Sequence, residues 1–315
     1  MAGAPTDPAR VAVVDLGSNS TRLLVADVRD GRVEKLDRRT QVTRLGEGVD
    51  ASNRLTDEAM ERVYDTVAGY REAIDDLGAE LTVGVATSAV READNREDFL
   101  GGLSERFGVD ARPISGEEEA RLTFLGATAG RTGGKPTLVL DIGGGSTEFV
   151  AGPPGTDPEF HASTRAGSVR QTERHFSADP PPPSELDSLR SEVRAIIEEA
   201  VPAEIRRWVR EGIAVAGTAT SLASIDQQLE PYDPSRVHGH RLGLDDCERM
   251  LAMLAALPLS ERREVTGLHP DRAPMIVAGA AIFVEAARAF ELDEMEISEA
   301  DILYGTALSA VRGEL

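Results

Sequence analysis

Two short segments of the chain combine an aspartate with glycine, serine and threonine in a pattern that suits phosphate binding. They are Asp15-Leu16-Gly17-Ser18-Asn19-Ser20-Thr21 and Asp141-Ile142-Gly143-Gly144-Gly145-Ser146-Thr147. Glycine lets the backbone come close to a ligand, and consecutive N–H groups with nearby hydroxyls can surround phosphate oxygens. An aspartate at the end of the preceding strand could hold Mg²⁺, which takes one or two carboxylates together with water and substrate oxygens. Asp15 and Asp141 are therefore the predicted metal ligands, and the site needs no basic side chain.

The two segments also share a local context, and they lie 126 positions apart (141 minus 15). Each reads as a strand, Asp, an aliphatic residue, Gly, two small or polar residues, Ser, Thr and a second strand. We interpret this repeat as a domain duplication; the alternative is two unrelated hairpins with Gly and Ser in their turns. A third segment, Gly217-Thr218-Ala219-Thr220, follows a predicted strand at 213–216 and lies at a predicted helix start. Its Gly217 and Thr218 are further candidates for phosphate binding.

An acidic run, Glu117-Glu118-Glu119, lies at the predicted start of another helix. Acidic residues in a first helical turn suit the helix dipole, so the spacing by itself favours a solvated helix end. One of the three could instead act as a general base on water, and the spacing does not say which. The P-loop and the Gly-x-Gly-x-x-Gly dinucleotide motif are both disfavoured, because neither pattern follows the first strand.

The elements that would position these residues alternate between strands and helices. Strands are predicted at 11–14, 23–28 and 32–45 as an antiparallel set, and again at 81–86 and from Thr137. A helix is predicted from Thr56 to Gly78 and another over 95–107. Later helices are predicted from a Ser184 cap to a break at Pro202 and, buried on all sides, over 271–290. The pattern is that of an α/β protein.

Size and charge limit the classes of function. The 315 residues are enough for two cores, since single cores stop growing near ~250 to 300 residues, and two domains imply a cleft. The net charge of -21 argues against nucleic acid or anionic membrane as partners. Cys247 is the only cysteine, which favours a reducing compartment. Residues 1–10 show no signal-peptide pattern and residues 273–284 are too short to span a membrane, so a cytoplasmic location is predicted. The high content of acidic residues is consistent with a saline cytoplasm, or it serves only to keep the protein soluble.

As a whole, the pattern resembles the Ppx/GppA phosphatase family, in a short two-domain form. This family contains exopolyphosphatases and pppGpp phosphohydrolases and belongs to the superfamily of actin, sugar kinases and Hsp70-like proteins. Besides the two aspartate loops, the motifs that carry the resemblance are Ala86-Thr-Ser-Ala-Val-Arg91, Ile114-Ser-Gly-Glu-Glu-Glu-Ala-Arg-Leu122, the 217–220 segment and the stretch 272–282.

The resemblance implies an α/β, actin-like (ribonuclease H-like), duplicated two-domain fold with a central cleft. The implied domains are residues 1–125 and 126–301, with 302–315 packing back on the first. Glu119 would orient or deprotonate the attacking water, while Glu117 and Glu118 stay at the surface. Asp141 would bind magnesium, and the contacts to substrate would come from Gly17, Ser18, Asn19, Ser20, Arg22, Arg91, Gly143, Gly144, Gly145, Ser146, Thr147, Gly217 and Thr218.

The implied activity is hydrolysis of the terminal phosphate of inorganic polyphosphate, with Mg²⁺ as cofactor. The alternatives are a pppGpp phosphohydrolase, an ATP-binding regulator of the same superfamily, and a sugar kinase. Where many relatives carry Ser-x-x-Gly-Leu-Arg-Glu-Gly, this chain has Ser298-Glu-Ala-Asp-Ile-Leu-Tyr-Gly305, so any role of that arginine is lost or moved. Longer members add helical domains that extend the polyphosphate path, and their absence favours shorter chains. The apolar segment 271–290 could contribute to a homodimer.

Overall fold

The structure is a computed structural model that describes residues 9–131 and 133–315. The chain divides into two compact units. Unit 1 contains the chain up to Gly130 together with Ile302–Leu315, and unit 2 is Arg131–Asp301. The boundary expected at residue 125 falls inside a helix that continues to Ala127, so the division comes five residues later. The C-terminal segment 302–315 belongs to unit 1.

Strands and helices alternate along both units. The strands of the described residues are β1 Ala9–Leu16, β2 Ser20–Arg29, β3 Arg32–Val42, β4 Leu81–Ala86, β5 Ala111–Pro113, β6 Thr137–Ile142, β7 Thr147–Gly152, β8 Phe160–Thr164, β9 Glu211–Val215, β10 Arg241–Gly243 and β11 Glu294–Ile297. The α-helices are α1 Val49–Ser52, α2 Asp57–Leu77, α3 Ser88–Glu92, α4 Arg96–Phe107, α5 Gly116–Ala127, α6 Ser168–His175, α7 Pro183–Ala200, α8 Ala203–Trp208, α9 Ala216–Asp226, α10 Pro234–Val237, α11 Leu244–Ala256, α12 Leu259–Arg262, α13 Ile276–Ala289 and α14 Ile302–Arg312.

The sheet of unit 1 has the order β3-β2-β1-β4-β5, in which β1 to β3 are antiparallel and β4 and β5 run parallel to β1. Alternate residues of β2 point to opposite faces. Leu23 and Val25 therefore join the core on the side of α2 and α4, while Leu24 and Ala26 join the core beside α14. The predicted antiparallel strands are confirmed.

Helix α2 begins and ends where the sequence predicts. The Oγ1 of Thr56 accepts a hydrogen bond from the N–H of Ala59 at 3.2 Å, which caps the first turn. Gly78 ends the helix in the left-handed region at φ 68°, a conformation that costs glycine little. The helix buries Val63, Val67 and Ile74 against the sheet.

The sheet of unit 2 has the order β10-β11-β9-β6-β7-β8. Here β6, β7 and β8 form the antiparallel set, and β9 and β11 run parallel to β6. The antiparallel-then-parallel arrangement of unit 1 thus recurs in unit 2 and confirms the predicted duplicated α/β fold.

Two predicted helix starts in unit 2 are wrong. Helix α7 has its N-cap at Pro182 and begins with Pro183, not at a Ser184 cap, because proline has a helical φ and needs no partner for an N–H at the first position. The helix predicted from residue 271 begins only at Ile276, after a short 3₁₀ turn at Pro270–Arg272. Residues 276–287 of α13 are buried within unit 2, so this segment has no exposed apolar face to offer a dimer partner.

Candidate active site

The two aspartate loops have the same backbone turn. The loop between β1 and β2 is closed by the N–H of Gly17, which donates to Ser20 O at 3.0 Å. In the loop between β6 and β7, the N–H of Gly143 donates to Ser146 O, also at 3.0 Å. A Cβ on residue 17 would lie only 2.9 Å from Ser20 O, and one on residue 143 only 3.2 Å from Ser146 O. Both turns therefore depend on glycine at the same position.

The carbonyl oxygens of the first loop are held from one side. Ser18 O and Asn19 O accept hydrogen bonds of 2.8 to 3.1 Å from N–H groups in the segment 43–46. In a trans peptide the C=O of one residue and the N–H of the next point in opposite directions. The N–H groups of Asn19 and Ser20 therefore point away from that segment. Consecutive N–H groups on one side of a loop can bind an anion.

The side chain of Ser18 ties this loop to the segment that follows β4. Its Oγ lies 2.9 Å from Ser88 Oγ and accepts a hydrogen bond of 3.3 Å from the N–H of Ala89. Ser88 is the first residue of α3, the helix that carries Arg91. The predicted phosphate contacts of the first loop and of the 86–91 motif are thus brought together within unit 1, whereas Asn19 is exposed at the tip of the loop.

Asp15 is buried and bonded to Arg22, its cross-strand partner. The Nε and Nη2 of Arg22 each lie 2.7 Å from Asp15 Oδ2, and the side chains are 2% and 20% exposed. Behind this pair, the hydroxyl of Tyr70 donates to Thr21 O at 2.8 Å. Burial raises the pKa of Tyr70 to about 12. The guanidinium of Arg22 therefore compensates the charge of the Asp15 carboxylate.

The second loop is held by α6. Gly143 O and Gly144 O accept hydrogen bonds of 2.9 to 3.1 Å from N–H groups in the first turn of this helix. By the same peptide geometry, the N–H groups of Gly144 and Gly145 point away from α6. The side chain of Thr147 is buried and its Oγ1 donates to Ala166 O at 2.6 Å. That hydroxyl serves the packing of unit 2, so any contact of Thr147 with substrate would be through its backbone.

The cross-strand partner of Asp141 is Glu148. At the equivalent position beside the first loop, the partner of Asp15 is Arg22. Directly opposite residues of an antiparallel pair have their Cβ atoms about 4.5 to 5.5 Å apart, so two acidic side chains leave neighbouring positions of the sheet here. Both side chains are half-buried, and Ser163 Oγ donates to Glu148 Oε1 at 3.0 Å. Sequence reasoning missed Glu148, although its place one residue after the loop, matching Arg22, was a readable signal.

Asp141 and Glu148 are a donor set that fits a magnesium ion. Among the described residues, no group of three or more His, Cys, Asp or Glu is arranged to hold a metal. Mg²⁺ does not require such a cage, because it keeps several waters and binds through one or two carboxylates plus substrate oxygens. Adjacent, partly exposed carboxylates on β6 and β7 meet that requirement.

Glu119 lies in the first turn of α5 beside Arg91. Arg91 Nη1 is 3.4 Å from Glu119 Oε2 and 2.7 Å from Ile114 O, and the two side chains are about one-third exposed. The helix is capped by Ser115, whose Oγ accepts from the N–H of Glu118 at 3.1 Å. A partly exposed carboxylate next to a guanidinium can orient both water and a phosphate oxygen.

The neighbouring acids of α5 differ from Glu119. Glu117 is exposed, as predicted. Glu118 is partly exposed, with 24% of its side chain accessible, and its carboxylate is paired with the Arg112 guanidinium. Of the three, Glu119 is the one placed next to Arg91.

The third glycine segment lies at a helix start, as predicted. Strand β9 ends at Val215 and α9 begins at Ala216, so Gly217 and Thr218 are helical residues. The side chain of Thr218 is buried, and its Oγ1 lies 3.5 Å from Ile142 O. A Cβ on residue 217 would lie 1.9 Å from the Cζ of Arg272, so that guanidinium lies against Gly217. Arg272 opens the 272–282 motif but was not among the predicted site residues, and it adds positive charge at this helix start.

Comparison with known proteins decides the family. A profile of the Ppx/GppA phosphatase family matches residues 24–311. The chain belongs to the Ppx/GppA phosphatase family. Exopolyphosphatase 2 of Mycobacterium tuberculosis is 38% identical over 95% of this chain and 98% of its own length. Ppx/GppA phosphatases hydrolyse phosphoanhydride bonds, so this chain is a phosphoric anhydride hydrolase.

Solved structures agree with this assignment. The Ppx/GppA family member of Aquifex aeolicus matches with a TM-score of 0.87 at 30% identity, covering 98% of this chain and 99% of that one. An exopolyphosphatase of Cytophaga hutchinsonii matches with a TM-score of 0.85 at 25% identity, covering 96% and 98%. A nucleoside triphosphate hydrolase of Neospora caninum, 12% identical with a TM-score of 0.52, shares the fold alone.

Proposed function

We propose that this Ppx/GppA phosphatase is an exopolyphosphatase that hydrolyses the terminal phosphate of inorganic polyphosphate with Mg²⁺ as cofactor. The observation that carries the proposal is the matched pair of loops, each with its carbonyl oxygens held on one side and its N–H groups directed to the other. Such loops bind phosphate oxygens without basic side chains, which suits a chain of net charge -21. Relatives named exopolyphosphatase support the choice of substrate.

In unit 1, the N–H groups of Asn19 and Ser20 bind phosphate oxygens, and Glu119 orients the attacking water and accepts its proton. Arg91 holds Glu119 in place and contacts the phosphate. Phosphoryl transfer leaves the protein little covalent chemistry, so catalysis rests on position and on compensation of charge.

In unit 2, the N–H groups of Gly144 and Gly145 bind phosphate oxygens, and Arg272 beside Gly217 contributes charge. Asp141 and Glu148 would hold the magnesium ion. When bound, the ion neutralises charge on the phosphate oxygens. Asp15, which is paired with Arg22, supports the first loop in this proposal.

The decisive experiment compares Glu119→Gln with Glu117→Gln. Phosphate release from polyphosphate of defined lengths, from pppGpp and from ATP is measured with Mg²⁺ present. We expect Glu119→Gln to lower kcat by at least about a hundredfold with KM little changed, because general-base catalysis contributes about 10²- to 10⁴-fold. Glu117→Gln, an exposed position on the same helical turn, keeps wild-type kcat. Wild-type release by Glu119→Gln would remove Glu119 from the mechanism.

The second candidate is pppGpp 5′-phosphohydrolase, favoured by the family that the chain belongs to. The same loops would bind its terminal phosphates, so only the substrate comparison separates the two. A higher kcat/KM for pppGpp than for every polyphosphate length would replace the first proposal with this one. Tight ATP binding without phosphate release from polyphosphate would instead indicate an ATP-binding regulator.

Location and partners belong to the same proposal. A cytoplasmic enzyme fits the single, buried Cys247, and the acidic charge fits a protein that does not bind nucleic acid. Among the described residues, no helix is both long and apolar enough to cross a membrane. A homodimer, if formed, uses a surface other than the buried α13.

A further inference from the structure

The first turn of α6 contacts all three glycine carbonyl groups of the second loop. Gly143 O accepts from the N–H of Ser168 at 2.9 Å and from its Oγ at 3.1 Å. Gly144 O accepts from two further backbone N–H groups of this turn. Gly145 O accepts from a side chain, the Nε of Arg170, at 3.0 Å. Three consecutive peptide groups are thus held by one helical turn.

These bonds determine where the amide groups of the loop point. Each carbonyl shares a peptide plane with the N–H of the next residue, and the two groups point in opposite directions. Bonds to the carbonyls of 143, 144 and 145 therefore turn the N–H groups of Gly144, Gly145 and Ser146 to the side away from α6. The third plane is the one that depends on a side chain, since Gly145 O is held by Arg170 Nε. Gly145 is also the exposed residue of the loop.

We propose that Arg170 is a positioning residue for phosphate binding: its Nε holds the Gly145–Ser146 peptide so that the Ser146 N–H faces the substrate phosphate. Ser168 has the same role at the Gly143–Gly144 peptide, where its Oγ reinforces a bond that its N–H already makes. The proposal rests on the proposed function of the second loop as a phosphate site. Glycine has no side chain to restrict its peptide planes, so the loop needs this support from a neighbouring helix.

The matched control is Arg174, one turn further along α6. It carries the same charge, is 64% exposed on its side chain and pairs with Glu192 at 3.2 Å. Arg170→Met and Arg174→Met therefore remove the same charge from the same helix. A third variant, Ser168→Ala, removes a donor to the loop without changing charge.

The test combines steady-state kinetics on polyphosphate with crystal structures of the variants. We expect Arg170→Met to raise KM about tenfold, Ser168→Ala to raise it about two- to threefold, and Arg174→Met to leave it unchanged. A merely structural role would lower the active fraction, and hence kcat, without raising KM. In the crystals, the Gly145–Ser146 peptide should rotate in Arg170→Met and keep its orientation in Arg174→Met.

Wild-type KM in Arg170→Met, an equal rise in Arg174→Met, or an unrotated Gly145–Ser146 peptide in Arg170→Met would each overturn the proposal. If the wild-type protein releases no phosphate from polyphosphate, the proposed function fails. The peptide orientation in the crystals then still decides whether Arg170 positions the loop.

Discussion

The Nε of Arg22 donates to Oδ2 of Asp15 at 2.7 Å, across the first two strands of unit 1 and directly before the first loop. The Asp15 side chain is only 2% exposed. Removing one partner of a buried pair leaves an uncompensated charge, which costs far more than the pair itself contributes. This ion pair makes Arg22 a stabilising residue of the fold, independently of any contact that Arg22 makes with substrate.

We therefore expect Arg22→Met to lower the free energy of unfolding by about 3 to 5 kcal/mol. The double variant Arg22→Met with Asp15→Asn should recover most of that loss, because the buried charge is gone. Urea denaturation of both variants and of each single change measures the difference. A double variant no more stable than Arg22→Met would contradict the assignment.

Magnesium dependence should separate Asp141 and Glu148 from other acids of unit 2. Asp141→Asn and Glu148→Gln each remove one of two adjacent carboxylates. We expect the Mg²⁺ concentration for half-maximal phosphate release to rise about tenfold or more in each, in line with the loss of a carboxylate ligand. Glu159→Gln, at an exposed position, is the control and should titrate like the wild type. Unchanged Mg²⁺ dependence in Asp141→Asn would remove it from the metal site.

Tyr70 gives a pH-dependent contribution to stability. Because burial raises its pKa to about 12 from an ordinary value of 10, the folded protein keeps the phenol proton that the unfolded chain loses. This contribution is complete below pH 10 and is lost as pH rises from 10 toward 12. Tyr70→Phe should cost about 1 kcal/mol at pH 8, from the lost bond to Thr21 O, and flatten the alkaline decline. Denaturant unfolding at pH 8, 10 and 11 gives both quantities, and an equally steep decline in Tyr70→Phe would count against this role.

Helix α14 packs against α5 through Gly305. A Cβ on residue 305 would lie 1.8 Å from Leu122 O. We expect Gly305→Ala to destabilise the protein by about 1 to 3 kcal/mol or more, since overpacking forces the backbones apart. Gly101→Ala in α4, where no heavy atom lies within 4 Å of the new Cβ, should stabilise it by up to about 1 kcal/mol. Thermal unfolding measures the change in stability of both variants. If Gly305→Ala stabilised the protein as much as Gly101→Ala, helix propensity and not packing would determine the effect at position 305.

Much of the fold was readable because its signals are local. The Thr56 cap and the Gly78 stop of α2 are properties of a few adjacent residues, and both were predicted correctly. The start of α7 was missed, because Pro183 and Ser184 are both acceptable at a helix start. The start of α13 was also missed, because Pro270–Arg272 form a separate 3₁₀ turn and the α-helix begins only at Ile276.

The candidate site divides in the same way. Asp15, Asp141 and the glycines around them were identified from the sequence, because a strand followed by a tight turn needs these residue types. The residues opposite the two aspartates were not identified as their partners: Arg22 lies opposite Asp15, and Glu148 lies opposite Asp141. The register of the paired strands decides which residue lies opposite each aspartate. That register was not predicted from the sequence.

By itself, the sequence determined the duplicated strand-turn-strand segments at Asp15 and Asp141 and the family to which they belong, and that resemblance gave the prediction that Glu119 acts on water. Only the tertiary structure decided which groups hold the loop carbonyls and that Arg91 lies beside Glu119. Turn chemistry depends on neighbours in the chain, whereas these contacts join residues far apart in it. Their geometry is set by the packing of helices on sheets, which no local pattern encodes.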